Sequence, residues 1–214
     1  MRRGESKVLN RRGKAKAIGR FVCKRVLEIQ NQYTRNGGTA QGRARVAMLR
    51  RGLGQRSSTW MDIGEDVFSD WPQELGAPGD DIEAVRAVQT ALNLYAVHQQ
   101  SKDYGVAQLP DDQGEWATFG RSCRLICPKL EDANGVKRRL NSVQAATDFD
   151  GAVRGMRALV MLMRSAKSKA GDSRIRLNYY SLAQDLYLMQ FDEFRDEIFQ
   201  RWASDYFRKI ADEK

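Results

Sequence analysis

The chain has 214 residues, with 36 Lys or Arg against 27 Asp or Glu, a formal net charge of +9 and 42% hydrophobic residues. This is the composition of a globular protein, and it excludes a disordered chain. No apolar run reaches the roughly 20 residues that a transmembrane helix needs, and the basic start lacks the apolar stretch of a signal peptide, so we expect a cytoplasmic protein that binds no membrane.

The first predicted element is a flexible basic arm over residues 1–16, which has almost no apolar content and no period. From Ile18 to Tyr33 apolar residues recur every three or four positions, which predicts an amphipathic helix that ends before Asn36. Residues 1–56 hold 16 basic residues against 2 acidic ones. A cluster of one sign attracts polyanions, so nucleic acid is the expected partner.

The stretch GRARVAMLRRGLGQR, residues 42–56, is the most basic part of this segment and contains no acid. A helix here places Arg43 and Arg50 beside its apolar face, with Arg45 on the other flank and Arg51 next in the chain. Charged runs are most often solvated helix faces. Without acids four residues away, however, these arginines repel one another, which favours a partner that supplies the negative charge.

Residues 57–116 reverse the sign, with 2 basic residues against 12 acidic ones. They include the clearest predicted helix, which Asp80 can cap with Glu83 in reciprocal position, and which runs to His98. The stretch GEWATFGRSCRLI follows and places Arg121 and Arg124 one turn apart, on a face that could hold a phosphate. The acidic segment could also pair with the basic segment of a second copy of the chain.

Pro128 breaks the helical pattern and predicts a boundary, which divides the chain into subdomains 17–128 and 129–214. Beyond it we predict a short helix with three consecutive basic residues, a helix opened by Thr147 whose polar side carries several arginines, and a helix capped by Asn178. No segment alternates as a strand does. The predicted fold is therefore all-α, with two small packed helical bundles.

Catalytic chemistry has few candidates. His98 is the single histidine, so histidines cannot form a metal cluster, and a histidine near a helix end is most often a cap or a surface group. Cys123 and Cys127 lie four apart, which alone is weak support for zinc; with Cys23 they make three cysteines, too few for a disulfide framework. We predict a binding protein without cofactor or metal, and not an enzyme.

Several stretches in a fixed order resemble one family: AMLRRGLG, ALNLYAVHQQ, WATFGRSCRLI, GVKRRLNSVQAATDFDGAVRGMRALVMLMR and LNYYSLAQDLYLMQFDEFRDEIFQRWASDYFRK. They are similar to the CasB (Cse2) family, the small subunit of the type I-E CRISPR complex Cascade, over nearly the whole chain from Ile18 to Lys209. The resemblance implies a non-catalytic subunit, present as a pair within the complex, that contacts the guide RNA and target DNA and helps to hold the displaced strand.

The positions expected to bind nucleic acid combine the basic helix with the family's basic residues. They are Arg43, Arg50, Arg51, Arg121, Arg124, Lys137, Arg138, Arg139, Arg157 and Arg164. The resemblance also places His98 and Gln99 in a matching position, which we interpret as structural. A helical transcription regulator that reads a major groove is the alternative within binding proteins, and a metal-dependent nuclease is the alternative among enzymes.

Overall fold

The computed structural model describes residues 9–51, 60–108, 116–166 and 174–210, and within these ranges the regular structure is helical. Its α-helices in chain order are α1 (Arg11–Thr34), α2 (Ala40–Arg51), α3 (Trp60–Phe68), α4 (Ile82–Gln99), α5 (Phe119–Ile126), α6 (Asn134–Gln144), α7 (Phe149–Ser165), α8 (Tyr179–Leu188) and α9 (Asp192–Phe207). A single parallel bridge between Ala107 and Leu177 is the β-type pairing in the described residues. The all-α prediction is confirmed.

Helix α1 begins seven residues before the predicted start at Ile18. Asn10 caps it, because its side-chain oxygen accepts a hydrogen bond from Gly13 N at 2.8 Å. The guanidiniums of Arg11 and Arg12 lie over the rings of Phe191 and Phe194 and pair with glutamates of α9. The prediction of a flexible arm is therefore wrong for residues 11–16, whose partners are too distant in sequence for a periodicity to show, and residues 1–8 lie outside the described ranges.

Helix α4 is the central helix, because it packs against α1, α2, α7 and α8. From Ala84 to Gln99 all but a few of its residues are buried. Its cap is Asp81, whose side chain accepts from Ala84 N at 2.9 Å, while the predicted cap Asp80 closes the preceding turn on Ala77 N. The predicted helix is confirmed and its cap lies one residue later.

The packing of α1 crosses the predicted subdomain boundary. Helix α1 makes its most extensive contact with α8, and one continuous hydrophobic core includes residues from both halves of the chain. Helices α6 and α7 pack against each other, and α5 packs on α9, where Gly120 lets the two backbones approach closely. The division at residue 128 stays a prediction.

Helices α4 and α7 run parallel with a constant register. Near their starts Arg86 bonds to Asp150 at 2.9 Å, and at their ends Arg164 bonds to Gln100. Both pairs differ by 64 in sequence number, so equivalent positions along the two helices are 64 apart. This register fixes where the polar side of α7 lies relative to α4.

Candidate nucleic-acid interface

Much of the positive charge in the first 56 residues is neutralised inside the fold. Lysines and arginines of α1 pair with acids of the 57–116 segment: Lys14 with Asp81 at 2.6 Å, Arg20 with Glu74 at 3.0 Å and Lys24 with Asp70 at 3.8 Å. The segregation of charge along the sequence thus reflects pairing between neighbouring helices. It does not leave α1 as a continuous cationic surface.

In α2 the arginines divide into three kinds. Arg45 is largely buried and pairs with Asp66 of α3, which corrects the expectation that no acid compensates the arginines of this stretch. Arg43 donates to the carbonyls of Gly37 and Gly38 at 3.1 Å each and so closes the turn before its own helix. Arg50 and Arg51, at the end of the helix, form no ion pair with any described residue, and Arg51 is exposed. Arg56 lies outside the described ranges.

Arg121 and Arg124 of α5 are buried and do not form an open phosphate site. Arg121 is 7% exposed and donates to the carbonyls of Arg208 and Lys209 at 2.7 and 3.2 Å, which satisfies the end of α9. Arg124 is 1% exposed and donates to Cys127 O at 3.0 Å and to Pro128 O, which satisfies the end of its own helix. Both guanidiniums stabilise backbone turns, so we leave them out of the interface.

Helix α6 presents its predicted residues at the surface. Arg138 and Arg139 are exposed, and Arg139 donates to Gly135 O one turn earlier at 3.0 Å. Lys137 is half-buried and lies over the ring of Phe207, with its ammonium 5.7 Å from the ring centroid. Because none of the three forms an ion pair with a described residue, this short helix offers uncompensated positive charge.

The arginines of α7 form the clearest cationic feature. At about 100° per residue, Arg154, Arg157 and Arg164 fall within one quarter of the helix circumference, with Arg157 and Arg164 at the edge of the buried face that includes Met156 and Arg154 farther round towards solvent. We call these three the α7 arginine stripe. None of them pairs with an acid among the described residues, since the acid on this side, Asp150, is engaged by Arg86. Arg154 was not among the predicted site residues, although the same periodicity includes it.

The register between the helices places Arg157 level with Asn93 of α4, because their numbers also differ by 64. Asn93 is 1% exposed, and its Oδ1 lacks a hydrogen-bond partner among the described residues; the Nε of Arg157 is likewise buried without one. Arg157 is half-buried, so packing restrains at least the stem of its side chain.

At the end of α4 the stripe meets a second cationic group that the sequence analysis missed. Lys102 and Arg174 both lie over the ring of Tyr104, at 5.6 and 4.9 Å from its centroid. We call these three residues the Tyr104 cluster; the exposed Asp103 lies beside it. The available signal in the sequence was Tyr104 two residues after Lys102, but Arg174 is 70 positions after Tyr104 and no local pattern connects it.

The buried His98 lies within electrostatic reach of both the stripe and the cluster. Its pKa is lowered to about 3, mainly by burial and also by the positive charges of Lys102 and Arg164, against a hydrogen bond to Ile175 that raises it. Its Nδ1 lies 3.1 Å from the hydroxyl of Tyr179. A neutral, fully buried imidazole in a hydrogen bond is a structural residue, which agrees with the interpretation of the sequence.

The arrangement provides cations and one aromatic ring on an outer surface, which suits a polyanion held by its backbone. Cys123 is buried, and burial raises the pKa of its thiol well above the ordinary value. Among the described residues, no cluster of metal-ligating side chains occurs, and no helix is both long and apolar enough to cross a bilayer.

The comparisons with known proteins agree with this architecture. The family model of the CRISPR-associated protein Cse2 matches residues 45–207, which is more than half of the chain. The chain belongs to the Cse2 family. Its fold is similar to the crystal structure of CasB from Thermobifida fusca, with 27% identity and a TM-score of 0.70, over 90% of this chain and 98% of that one. No curated protein sequence matches the chain.

The resemblance found in the sequence is therefore confirmed at the level of the family. The matched range includes α7 and the Tyr104 cluster, and it begins after the end of α1. Of the predicted site residues, the fold brings Arg157 and Arg164 together in one stripe and places Lys137, Arg138 and Arg139 on the adjacent helix α6.

Proposed function

We propose that this Cse2-family chain is the non-catalytic small subunit of a type I-E Cascade complex. In this role it contacts the guide RNA–target DNA heteroduplex and the displaced strand through backbone phosphates, works beside other Cascade subunits and a second copy of itself, and acts in the cytoplasm. Membership of the family supports assignment to a Cascade complex. The α7 arginine stripe carries the proposal about nucleic acid.

The stripe supports phosphate contacts because its spacing and its lack of acids both suit an extended anion. Arg157 and Arg164 are seven residues apart, which is about 10 Å along the helix axis, with Arg154 one turn before Arg157. A guanidinium binds phosphate oxygens in a fork geometry and stays charged at all physiological pH values. Three of them in a row can hold a strand without reading its bases.

Backbone contacts are sufficient for this role. In RNA-guided recognition, base pairing reads the sequence, and exchange of the DNA duplex for the RNA–DNA heteroduplex is nearly balanced in free energy. A few phosphate contacts can therefore shift the equilibrium towards the open strand. The Tyr104 cluster extends the same surface beyond the end of α7 and adds an aromatic ring.

The test replaces two arginines of the stripe with a neutral polar side chain. Arg154→Gln with Arg157→Gln removes two cations, and each phosphate contact on a single strand contributes about 0.7 to the slope of log K against log salt. We expect the slope to fall by about 1.4, so that the affinity lost between 50 and 200 mM salt is about sevenfold smaller than in the wild type. The measurement is fluorescence anisotropy on a labelled single strand, repeated as R-loop formation by the assembled complex.

The matched control removes two cations that are already paired. Arg11→Gln with Arg12→Gln changes the net charge equally, but these arginines are held both by Glu193 and Glu197 of α9 and by the rings of Phe191 and Phe194, which the other exposed pairs of α1 lack. The control should keep the wild-type slope. A folded Arg154→Gln, Arg157→Gln variant with an unchanged slope would contradict the proposal.

A further inference from the structure

A solvent-open groove of about 510 Å³ lies beside α1. One wall is α1, which contributes Arg20, Cys23, Lys24 and Leu27. Trp116 and Tyr180 also line it, together with Gln108 and Asn178. No residue of the stripe or of the Tyr104 cluster lines it, so the interface described above does not account for this groove.

The indole of Trp116 is the most unusual feature of the groove. Its residue is 59% exposed, although a side chain of this size is normally placed in a core. The polar groups beneath it are already satisfied: Gln108 Oε1 accepts from Ala117 N at 2.8 Å and from Asn178 Nδ2 at 3.2 Å. The groove therefore offers a flat aromatic face and apolar walls, which select a ligand that stacks.

Two cations stand at the rim, one helical turn apart. Arg20 pairs with Glu74 and Lys24 with Asp70, and in both pairs each side chain is about half exposed or more, at 59% and 46%, and 65% and 72%. Pairs this exposed contribute little free energy and exchange readily for another anion. Arg20 and Lys24 can therefore turn from these carboxylates to phosphate oxygens at the mouth of the groove.

We propose that this groove binds one unstacked base of a single-stranded nucleic acid. The base stacks on Trp116 while the adjoining phosphates contact Arg20 and Lys24, a combination of aromatic platform and cationic rim that holds single strands without reading sequence. The inference rests on the proposed function and adds a second contact point, with lining residues distinct from the α7 arginine stripe. Because an abasic strand has phosphates but no ring, the stacking contribution can be isolated.

The experiment measures affinity for a single-stranded oligothymidylate of about twelve nucleotides and for the same strand with abasic sites in its central half. We expect the wild type to bind the abasic strand about 5- to 150-fold more weakly. Trp116→Ala should bind the intact strand more weakly by the same factor, with no further loss on the abasic strand. Trp116→Phe should keep most of the wild-type preference, because it keeps an aromatic face.

Trp60→Ala is the matched control, since Trp60 is 48% exposed but lies on α3 outside the groove. It should behave as the wild type on both strands. If Trp116→Ala keeps the wild-type preference for the intact strand, or if it weakens assembly with other protein subunits and not strand binding, the inference is overturned.

The two proposals fail in different ways. A flattened salt slope in Arg154→Gln, Arg157→Gln together with wild-type behaviour of Trp116→Ala overturns only the base site. Wild-type protein without salt-dependent binding of any strand overturns the proposed function and the base site with it.

Discussion

Replacing Arg121 is the best way to distinguish an arginine that stabilises the fold from one that binds nucleic acid. Its sequence position next to Arg124 predicts a phosphate contact, but the side chain is buried and its two terminal nitrogens donate to the carbonyls of Arg208 and Lys209. Arg121→Ala removes both hydrogen bonds and leaves the end of α9 without these donors. The variant should therefore lose stability and keep its nucleic-acid affinity.

The magnitude follows from the two hydrogen bonds. Each hydrogen bond from a charged donor contributes about 1.5–3 kcal/mol, and water can reach part of the vacated site, so we expect a loss of about 2–4 kcal/mol in the free energy of unfolding. For a chain of this length that corresponds to a fall in melting temperature of roughly 4–16 °C. Thermal denaturation followed by circular dichroism measures it directly.

Arg154→Ala is the opposite case, because Arg154 is exposed and has no hydrogen-bond partner among the described residues. Its unfolding free energy should change by less than about 0.5 kcal/mol, while the salt slope of strand binding falls by about 0.7. An Arg121→Ala variant with an unchanged melting temperature and a flatter salt slope would refute the assignment of Arg121 to the fold.

Three further predictions concern stability. Burial raises the pKa of Asp185 to about 6 from 3.8. The protonated carboxyl therefore stabilises the fold fully below about pH 4, and this stabilisation is lost as the pH rises through 6. Urea denaturation should show that the free energy of unfolding of the wild type falls by about 3 kcal/mol relative to Asp185→Asn between about pH 4 and pH 7. Gly120→Ala places a Cβ 2.1 Å from Trp202 O and should lower the melting temperature, whereas Gly64→Ala, with no atom nearer than 3.6 Å, should leave it unchanged or raise it. Asp66→Asn breaks the largely buried pair with Arg45 and should cost about 3–5 kcal/mol in the free energy of unfolding, measured with the same denaturant titration.

The helices could be predicted from sequence because their apolar periodicity is strong. The cap Asn178 is confirmed, since its side chain accepts from Ser181 N at 2.8 Å, and the helix after Pro78 begins within a residue of the prediction. The helix predicted to open at Thr147 is capped one residue later, by Asp148. Such one-residue differences arise where two adjacent polar residues can both cap, and only the backbone angle decides between them.

The candidate site could be predicted only in part, because a sequence shows where cations are but not which acids and carbonyls meet them. Arg45 and Asp66 are 21 positions apart, and Arg121 lies 87 positions from the carbonyl of Arg208. In contrast, the stripe on α7 is local, so its periodicity alone places Arg157 and Arg164 on one side. A long-range contact therefore engages Arg121 within the fold, where the sequence could not show it, whereas helical geometry alone places Arg157 and Arg164 on one side of α7.

The pairing of α1 with α8 has a consequence for how the protein is made. The first helix ends at Thr34, and its main packing partner begins at Tyr179, roughly 145 residues later in synthesis. At about 5–20 residues per second, the apolar side of α1 waits about 7–30 s before α8 leaves the ribosome. During that interval the nascent chain lacks the helix against which α1 packs most extensively, so completion of the core is a late event that depends on the last quarter of the message.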